Sequence, residues 1–302
     1  MHKTKQKIII IIGPTASGKT NIAVQLAHKI HGEIISADSR QVFKGMDIGS
    51  GKDLDEYGSI KYHLIDIREA GAEFSVSDFQ KHTLQSLHDI TSKAKIPIIC
   101  GGTGFYIKAL IEDYQFDKPP SDKTITDPLE KLDRSKLYQM LESLGLWHQH
   151  HWESDSKRRI ARAIESHLAP AMPVDSKHTF ADTYQARIYY KQVDRNDLKS
   201  KIIKRLDNRL KQGLIKEVES LLNRNISLER LERYGLEYKW IARYLNNMIT
   251  YDEMFSKLTV DICRYAKRQM TFIRYLAKQG HLLIPITEGA DFFEEIGNWL
   301  DI

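Results

Sequence analysis

Long apolar runs are missing from this 302-residue chain. The longest pure aliphatic stretch runs only from Ile8 to Ile12, against the roughly 20 residues that carry a helix across a bilayer. Cysteine is scarce as well. Cys100 and Cys263 are the two present, too few for a disulfide framework or a four-thiolate zinc site. Both lie in apolar-periodic segments and read as core residues. Met1 to Lys7 is basic but is followed by no apolar stretch with a small-residue cleavage site, so no secretory signal is expected. Fixed-period repeats and low-complexity tracts are absent too. These absences exclude a membrane protein, a secreted mini-scaffold and a zinc finger. A soluble, cytoplasmic protein with no membrane partner is expected, and its 41% hydrophobic and 28% charged residues suit a globular chain of up to two domains.

The net charge of +5 hides an asymmetry. Residues 1–150 hold 19 basic and 19 acidic side chains, whereas Lys157 to Lys278 holds 26 Lys and Arg against 14 Asp and Glu. A basic second half suits a polyanionic partner. Solvated helix faces explain the same numbers, and composition alone favours them.

Organisation follows from hydrophobic period. Ile8–Ile12 ends at Gly13 as a β-branched run buried on both faces would, and Lys19 to Ile30 then repeats its apolar residues at helical spacing. Glu33–Asp38, Lys61–Ile67 and Lys95–Gly101 read as further strands. Ser75-Val-Ser-Asp78 reads as a capping box opening a helix to about Ala94. Strands and helices in alternation predict a parallel sheet. The rhythm breaks at the turn-rich Asp117–Asp122, gives way to helical patterning from Asp127 to Leu168, and returns at Ala186–Val193. Lys199–Leu222 is predicted as one long helix, and Tyr251–Lys278 as one or two. The expected fold class is α/β: a P-loop parallel-sheet core (residues 1–122), a mostly helical insertion (123–185), and a return to the core with basic C-terminal helices (186–302).

The chemistry starts at Gly13-Pro-Thr-Ala-Ser-Gly-Lys-Thr20, which fits G-x-x-x-x-G-K-[ST] between a buried strand and an amphipathic helix. Backbone N–H groups of Gly13, Pro14 to Gly18 and beyond wrap a diphosphate, excepting proline, which has none to give. The Lys19 ammonium balances charge and the Thr20 hydroxyl ligates Mg²⁺. Most such loops serve phosphoryl transfer, so a nucleotide or small-metabolite kinase is the default. That default expects an acid at a strand end, and Asp38 and Asp66 are the candidates, since Ile96–Cys100 runs into Gly101-Gly-Thr-Gly104 instead. A non-catalytic RNA-binding switch is a third possibility.

Further segments recur in a familiar order. They are Ile35-Ser-Ala-Asp-Ser-Arg-Gln-Val42, Gly45-Met-Asp-Ile-Gly49, His63-Leu-Ile-Asp66, Phe74-Ser-Val-Ser-Asp-Phe79 and Gly101-Gly-Thr-Gly-Phe-Tyr106, then Arg159-Ile-Ala-Arg-Ala-Ile-Glu165, Arg205 with Gly213-Leu214, Gly235-Leu-Glu-Tyr-Lys239 and Tyr265-Ala-Lys-Arg-Gln269. With the phosphate loop, this set resembles the tRNA dimethylallyltransferase family, densely before Ile111 and sparsely from there to Arg158. The resemblance implies an enzyme that transfers a five-carbon group from dimethylallyl diphosphate to the exocyclic N6 amine of the adenosine 3′ of the tRNA anticodon, releasing diphosphate.

By family position Asp38 is the general base, Thr103 contacts the reacting nucleotide and Arg205 reaches the diphosphate held by Gly13, Pro14, Thr15, Ala16, Ser17, Gly18, Lys19 and Thr20. Asp38, Ser39, Arg40, Gln41 and Thr103 match tRNA-touching positions, and Arg158, Arg159, Arg162, Lys267 and Arg268 are expected to grip phosphates of the anticodon stem-loop. On the residues alone, Asp38 could equally hold magnesium or cap a turn, Thr103 could cap a helix, and Lys201, Arg205 and Arg209 could share a solvated face. The implied partners are tRNA and dimethylallyl diphosphate, with Mg²⁺ as cofactor; nothing demands more than a monomer. The sequence departs from the family at Asp155-Ser156, where Asn-Asp is usual, at the unfamiliar Leu146–Trp152, and at Phe272, where tryptophan is common. No C-terminal zinc finger follows, as in bacterial or organelle-type members. The clustered His148, His150 and His151 invite a metal reading, which the lack of a Cys or carboxylate at ligand spacing before them opposes.

Overall fold

The computed structural model describes residues 5–116, 121–170, 180–287 and 289–302. Its contacts divide the chain into two compact units, one formed by Met1–Asp113 and Thr179–Ile302, the other by Tyr114–His178.

The first unit opens with β1 (Gln6–Ile12), α1 (Lys19–Lys29), β2 (Gly32–Ser36), β3 (Phe43–Lys44), β4 (Tyr62–His63), β5 (Arg68–Glu69), α2 (Val76–Thr91), β6 (Ile96–Gly101) and α3 (Gly104–Ile111). The strands assemble in the order β4-β2-β6-β1-β7-β8, every pair parallel, with β3 and β5 forming a separate ribbon. The isoleucine run explains the layers. Ile8, Ile10 and Ile12 pack with Phe79, Leu87, Ile107 and Leu276 on one face, while Ile9 and Ile11 pack with Leu26, Ile34 and Ile296 on the other. Period-two alternation thus serves two cores at once, and all five side chains are essentially out of water.

The second unit contains α4 (Lys123–Lys131), α5 (Arg134–Ser143) and α6 (Lys157–Leu168). They close on Leu137, Leu141, Ile160, Ile164 and the buried Trp152. The unfamiliar Leu146–Trp152 stretch is therefore a packing loop: the Trp152 indole N–H donates to the Leu146 carbonyl at 2.8 Å, and Trp147 lies against Tyr138.

The chain rejoins the first unit through α7 (Phe180–Thr183) and β7 (Tyr184–Tyr190), then continues as α8 (Arg195–Lys211), α9 (Leu214–Asn223), α10 (Leu228–Tyr234), α11 (Leu236–Leu245), α12 (Tyr251–Lys278), β8 (Leu283–Pro285) and α13 (Ala290–Leu300). Helices α8 to α12 bury a third core against Val42, Phe43 and Met46.

Four boundaries differ from the sequence reading. The predicted Lys199–Leu222 helix is two helices, because Gly213 takes φ +107° and stops α8. Lys61–Ile67 pairs only at Tyr62–His63, since Leu64 and Asp66 turn to positive φ. Helix α2 has the anticipated capping box but ends at Thr91, ahead of Ala94 at φ +53°. The returning strand starts at Tyr184 and stops at Tyr190. Among the described residues no helix is long and apolar enough to cross a membrane.

Candidate active site

Parallel pairing sets Ser36 beside Cys100 and Gly101 beside Ile12, so the C-terminal ends of β2, β6 and β1 lie side by side. Three loops leave this edge: Ala37–Gln41, Gly101–Thr103 and the phosphate loop. Ligands of open α/β sheets collect at such an edge. A cavity of about 470 Å³ opens there, walled by Thr15, Lys19, Thr20, Asp38, Ser39, Arg40 and Gln41 from the sheet side and by Arg205, Glu237, Tyr265 and Arg268 from the helices.

The phosphate loop is wound tightly, with Ala16 at φ +59° and Gly18 at φ +80° just before α1 begins. Successive N–H groups in such a curl make a concave anion seat at a helix N-terminus. Ser17 Oγ is buried against Gly13 with no hydrogen-bond partner among the described residues. Lys19 Nζ stays near its own loop, 3.4 Å from the Pro14 carbonyl. Burial pulls the Lys19 ammonium below the ordinary lysine value, and the nearby Arg205 and Arg209 push the same way, against Asp38. Arg205 is drawn down to about 10, first by burial and then by Arg209. Positive charges held together out of water are poised for an anion.

Arg205 and Arg209 therefore do not share the solvated face that their spacing with Lys201 allowed. Lys201 is exposed, Arg205 lines the cavity and Arg209 is buried. Both guanidinium groups lie over Gly51: a Cβ there would stand 1.9 Å from Arg209 Nη2 and 3.0 Å from Arg205 Nη2, on a backbone at φ +65°. Only glycine admits that stacking. Arg209 also reaches Asp53 at 3.4 Å. Sequence reasoning gave no role to Arg209 or Glu237, which it met only in an i+4 series and inside the Gly235–Lys239 segment. Glu237 is buried beside the two arginines, and burial pushes its carboxyl up.

The two candidate acids separate. Asp66 is taken by Lys52, a buried ammonium that also binds Asp47 and the Phe43 carbonyl. Asp38 faces the cavity; its Oδ1 accepts the Arg40 N–H at 2.8 Å. Thr103 does not cap α3 with its hydroxyl. It accepts the Ser39 N–H at 3.1 Å instead and so fixes the loop that carries Asp38. The Gln41 amide is spent inside the protein, donating to the Gly51 carbonyl at 2.8 Å and accepting from Ser36 at 2.6 Å. Arg40 reaches the Tyr234 carbonyl and lies 5.7 Å over the Tyr234 ring.

Gln269, from the last of the quoted motifs, ties the site together. Its Oε1 accepts the Thr15 N–H at 2.7 Å and its Nε2 donates to the Gly102 carbonyl at 2.9 Å. The glycines of the second turn now have separate reasons. A Cβ on Gly101 would meet the Ala37 carbonyl at 2.3 Å, one on Gly102 the Gln269 amide at 2.0 Å, and one on Gly104 the Phe272 ring at 2.5 Å. Glu217, also missed, accepts the backbone N–H groups of Asp47, Ile48 and Gly49 and so holds the opposite wall.

The profile of the IPP transferase family matches residues 41–275. The chain belongs to that family. It is 39% identical over 289 residues to a tRNA dimethylallyltransferase 2 of Shewanella sediminis, covering 95% of each chain, and 39% identical over 284 residues to a tRNA dimethylallyltransferase 1 of Geotalea daltonii, covering 94% of this chain and 92% of that one. Among solved structures it resembles the tRNA isopentenylpyrophosphate transferase of Bacillus halodurans, with a TM-score of 0.71 at 29% identity over 98% of this chain and 96% of that one. A eukaryotic dimethylallyltransferase captured acting on tRNA shares the fold, with a TM-score of 0.73 at 22% identity over 94% of this chain and 75% of that one.

The remaining expected residues lie elsewhere in their units. Lys267 is exposed on α12, and Arg268 is exposed at the cavity rim. On α6, Arg158 is exposed, Arg159 pairs with Asp155 at 3.0 Å and Arg162 with the buried Glu165 at 2.6 Å. His150 pairs with Asp155, and no group of three His, Cys, Asp or Glu suited to a metal occurs among the described residues. The Cys100 thiol is buried, pushed up to about 11, and donates weakly to the Lys19 carbonyl.

Proposed function

We propose that the protein transfers a dimethylallyl group from dimethylallyl diphosphate to the N6 amine of the adenosine 3′ of a tRNA anticodon. The observation that carries this is the pairing of a cationic phosphate cradle (Lys19, Arg205 and the loop N–H groups) with a cavity-facing carboxylate, Asp38, on the neighbouring loop. An exocyclic amine is a weak nucleophile, so the carbon it attacks must be strongly electrophilic. An allylic carbon becomes so as its bond to the diphosphate oxygen breaks, provided the leaving charge is neutralised. The N6–carbon bond forms as that C–O bond breaks; the amine proton passes to Asp38 and diphosphate departs.

Mg²⁺ fits the site. The donors on the cavity wall besides the base, the Thr20 hydroxyl and the Asp53 carboxylate, are oxygens, the ligands that this ion would take alongside phosphate oxygens and water. Bound there, it supplies further charge neutralisation for the leaving group. The tRNA partner is gripped through phosphates by Arg158, Arg159, Arg162, Lys267 and Arg268, and the target base leaves its stack to enter the cavity. The protein works as a cytoplasmic monomer in this reading.

The test is incubation with unmodified tRNA, Mg²⁺ and either dimethylallyl diphosphate or ATP, followed by digestion and mass analysis of the nucleosides. A five-carbon addition to adenosine is expected. Consumption of ATP with no prenyl addition would establish a kinase instead.

A further inference from the structure

Positive charge gathers around one aromatic ring on the helical side of the cavity mouth. Lys239 Nζ lies 4.4 Å from the centre of the Trp240 ring, Arg243 Cζ 5.2 Å and Lys257 Nζ 5.6 Å. The indole N–H donates to Asp261 Oδ2 at 2.9 Å. Lys239 and Asp261 both line the cavity, so the cluster begins at its wall. A half-buried ring in contact with long cationic side chains holds arms that would otherwise sweep through solvent.

Helix α12 draws this cluster out into a line. Lys257, Asp261, Arg264 and Arg268 follow one another at i, i+4, i+7 and i+11, a single stripe of the helix. At the helical rise the stripe is about 16 Å long. Lys257, Arg264 and Arg268 are exposed, and Arg268 stands at the cavity rim. The neighbouring acids do not cancel the charge. Glu232 takes Arg243 at 2.5 Å, Glu253 reaches Lys257 only at 3.8 Å, and Asp261 is shared between the Trp240 N–H and Arg264 at 3.4 Å. Five cations thus stand against three carboxylates.

We propose that this line is an RNA-binding surface: the strand flanking the target base leaves the cavity past Arg268 and lays its phosphates along Arg264, Lys257, Lys239 and Arg243. This rests on the prenyl-transfer reading above and adds to it the path of the strand. Phosphates are the partner that the charge fits, and contacts to them set register without reading sequence. Trp240 serves as a bed rather than a stacking platform, because its ring is already engaged by the three cations. Cations held in place before the RNA arrives lose less freedom on binding, so each contact returns more affinity than a loose surface lysine would.

The experiment measures binding of a fluorescent anticodon stem-loop across a salt series, for wild-type protein, the double variant R243A/K257A and E253Q. The double variant is expected to bind at least about tenfold more weakly at low salt and to flatten the log K against log salt slope by about 1.4–1.8, two phosphate contacts' worth. Its KM for dimethylallyl diphosphate should be unchanged. E253Q removes the acid beside Lys257 while glutamine can still complete the capping box of α12, so binding should tighten, the opposite sign. Should the double variant fail to fold, E253Q decides alone. An unchanged slope in R243A/K257A, or unchanged binding in E253Q, alongside normal prenyl transfer by wild-type protein, would reduce the line to a solvated face and overturn this proposal only. Wild-type protein that leaves the stem-loop unmodified in the presence of dimethylallyl diphosphate would overturn the prenyl-transfer reading and the strand path with it.

Discussion

The Gln269 amide offers the sharpest test of how the site is held. It is buried, and it joins the Thr15 N–H at 2.7 Å to the Gly102 carbonyl at 2.9 Å. Q269A removes two neutral hydrogen bonds, at about 1 kcal/mol each, and leaves one backbone donor and one acceptor to find new partners, at about 1–3 kcal/mol for any that stays dry. A side-chain cavity adds to this, and water entering from the open cavity offsets part of it. A net loss of about 2–4 kcal/mol follows, which for a chain of this size is several degrees in Tm.

Catalysis should suffer in a particular way. Freed from Gln269, the Thr15 end of the loop loses its fixed direction, so KM for dimethylallyl diphosphate rises more than the affinity for tRNA falls. Q269E separates the two bonds: its carboxylate still accepts from Thr15 but repels the Gly102 carbonyl and the incoming diphosphate. Thermal unfolding with and without diphosphate, alongside steady-state kinetics, reads both effects. Stability unchanged within about 0.5 kcal/mol in Q269A, a range typical of bland surface substitutions, would refute the claim that this amide clamps the two loops together.

Three further outcomes follow from the same geometry. D38N should leave donor and tRNA binding nearly intact while lowering kcat at least ~10²-fold, as loss of a general base does; wild-type turnover would remove Asp38 from that role. Lys19 sits below the lysine norm and Arg205 near 10, and an anion favours their charged forms. Affinity for dimethylallyl diphosphate should therefore hold at neutral pH and fall as pH rises toward 10, with proton uptake on binding at the alkaline end; calorimetric titration that finds no pH dependence would contradict this. Binding of tRNA should weaken steeply with salt, and R158A should flatten the log K against log salt slope by about 0.7–0.9. R162A should flatten it less, since Arg162 is already engaged by buried Glu165.

Much of the fold was readable because its signals are local. Ile8–Ile12 had to be a two-faced strand, and Gly13–Thr20 named its own anion seat. What sequence could not supply was where long side chains go. The i+4 series Lys201, Arg205 and Arg209 is consistent with a wet face or a buried one, and only the bare backbone of Gly51 above the two guanidinium groups decides it. Glu217 and Gln269 were illegible for the same reason: each acts on backbone N–H or carbonyl groups more than 160 residues away. The single-helix reading of Lys199–Leu222 failed because apolar period passes undisturbed through Gly213, whose φ does not.

Under the proposed reaction, the placement of the acid explains how a phosphate loop comes to serve carbon chemistry. In a phosphoryl-transfer enzyme the group in the loop is the one transferred, so an acid near the phosphates holds metal and the nucleophile approaches phosphorus. Here the strand beside β1 ends in Gly101 and Gly102, whose missing side chains make room for the Ala37 backbone and the Gln269 amide. The carboxylate sits one strand further out, on the loop after β2, facing the cavity beyond the phosphate seat. In the proposed reaction, that displacement leaves the cradle to a departing diphosphate and puts Asp38 where an incoming nitrogen must shed its proton. A carboxylate moved back to the β6 end would have to displace the Gln269 clip, so clamp and base position are two consequences of one choice of glycine.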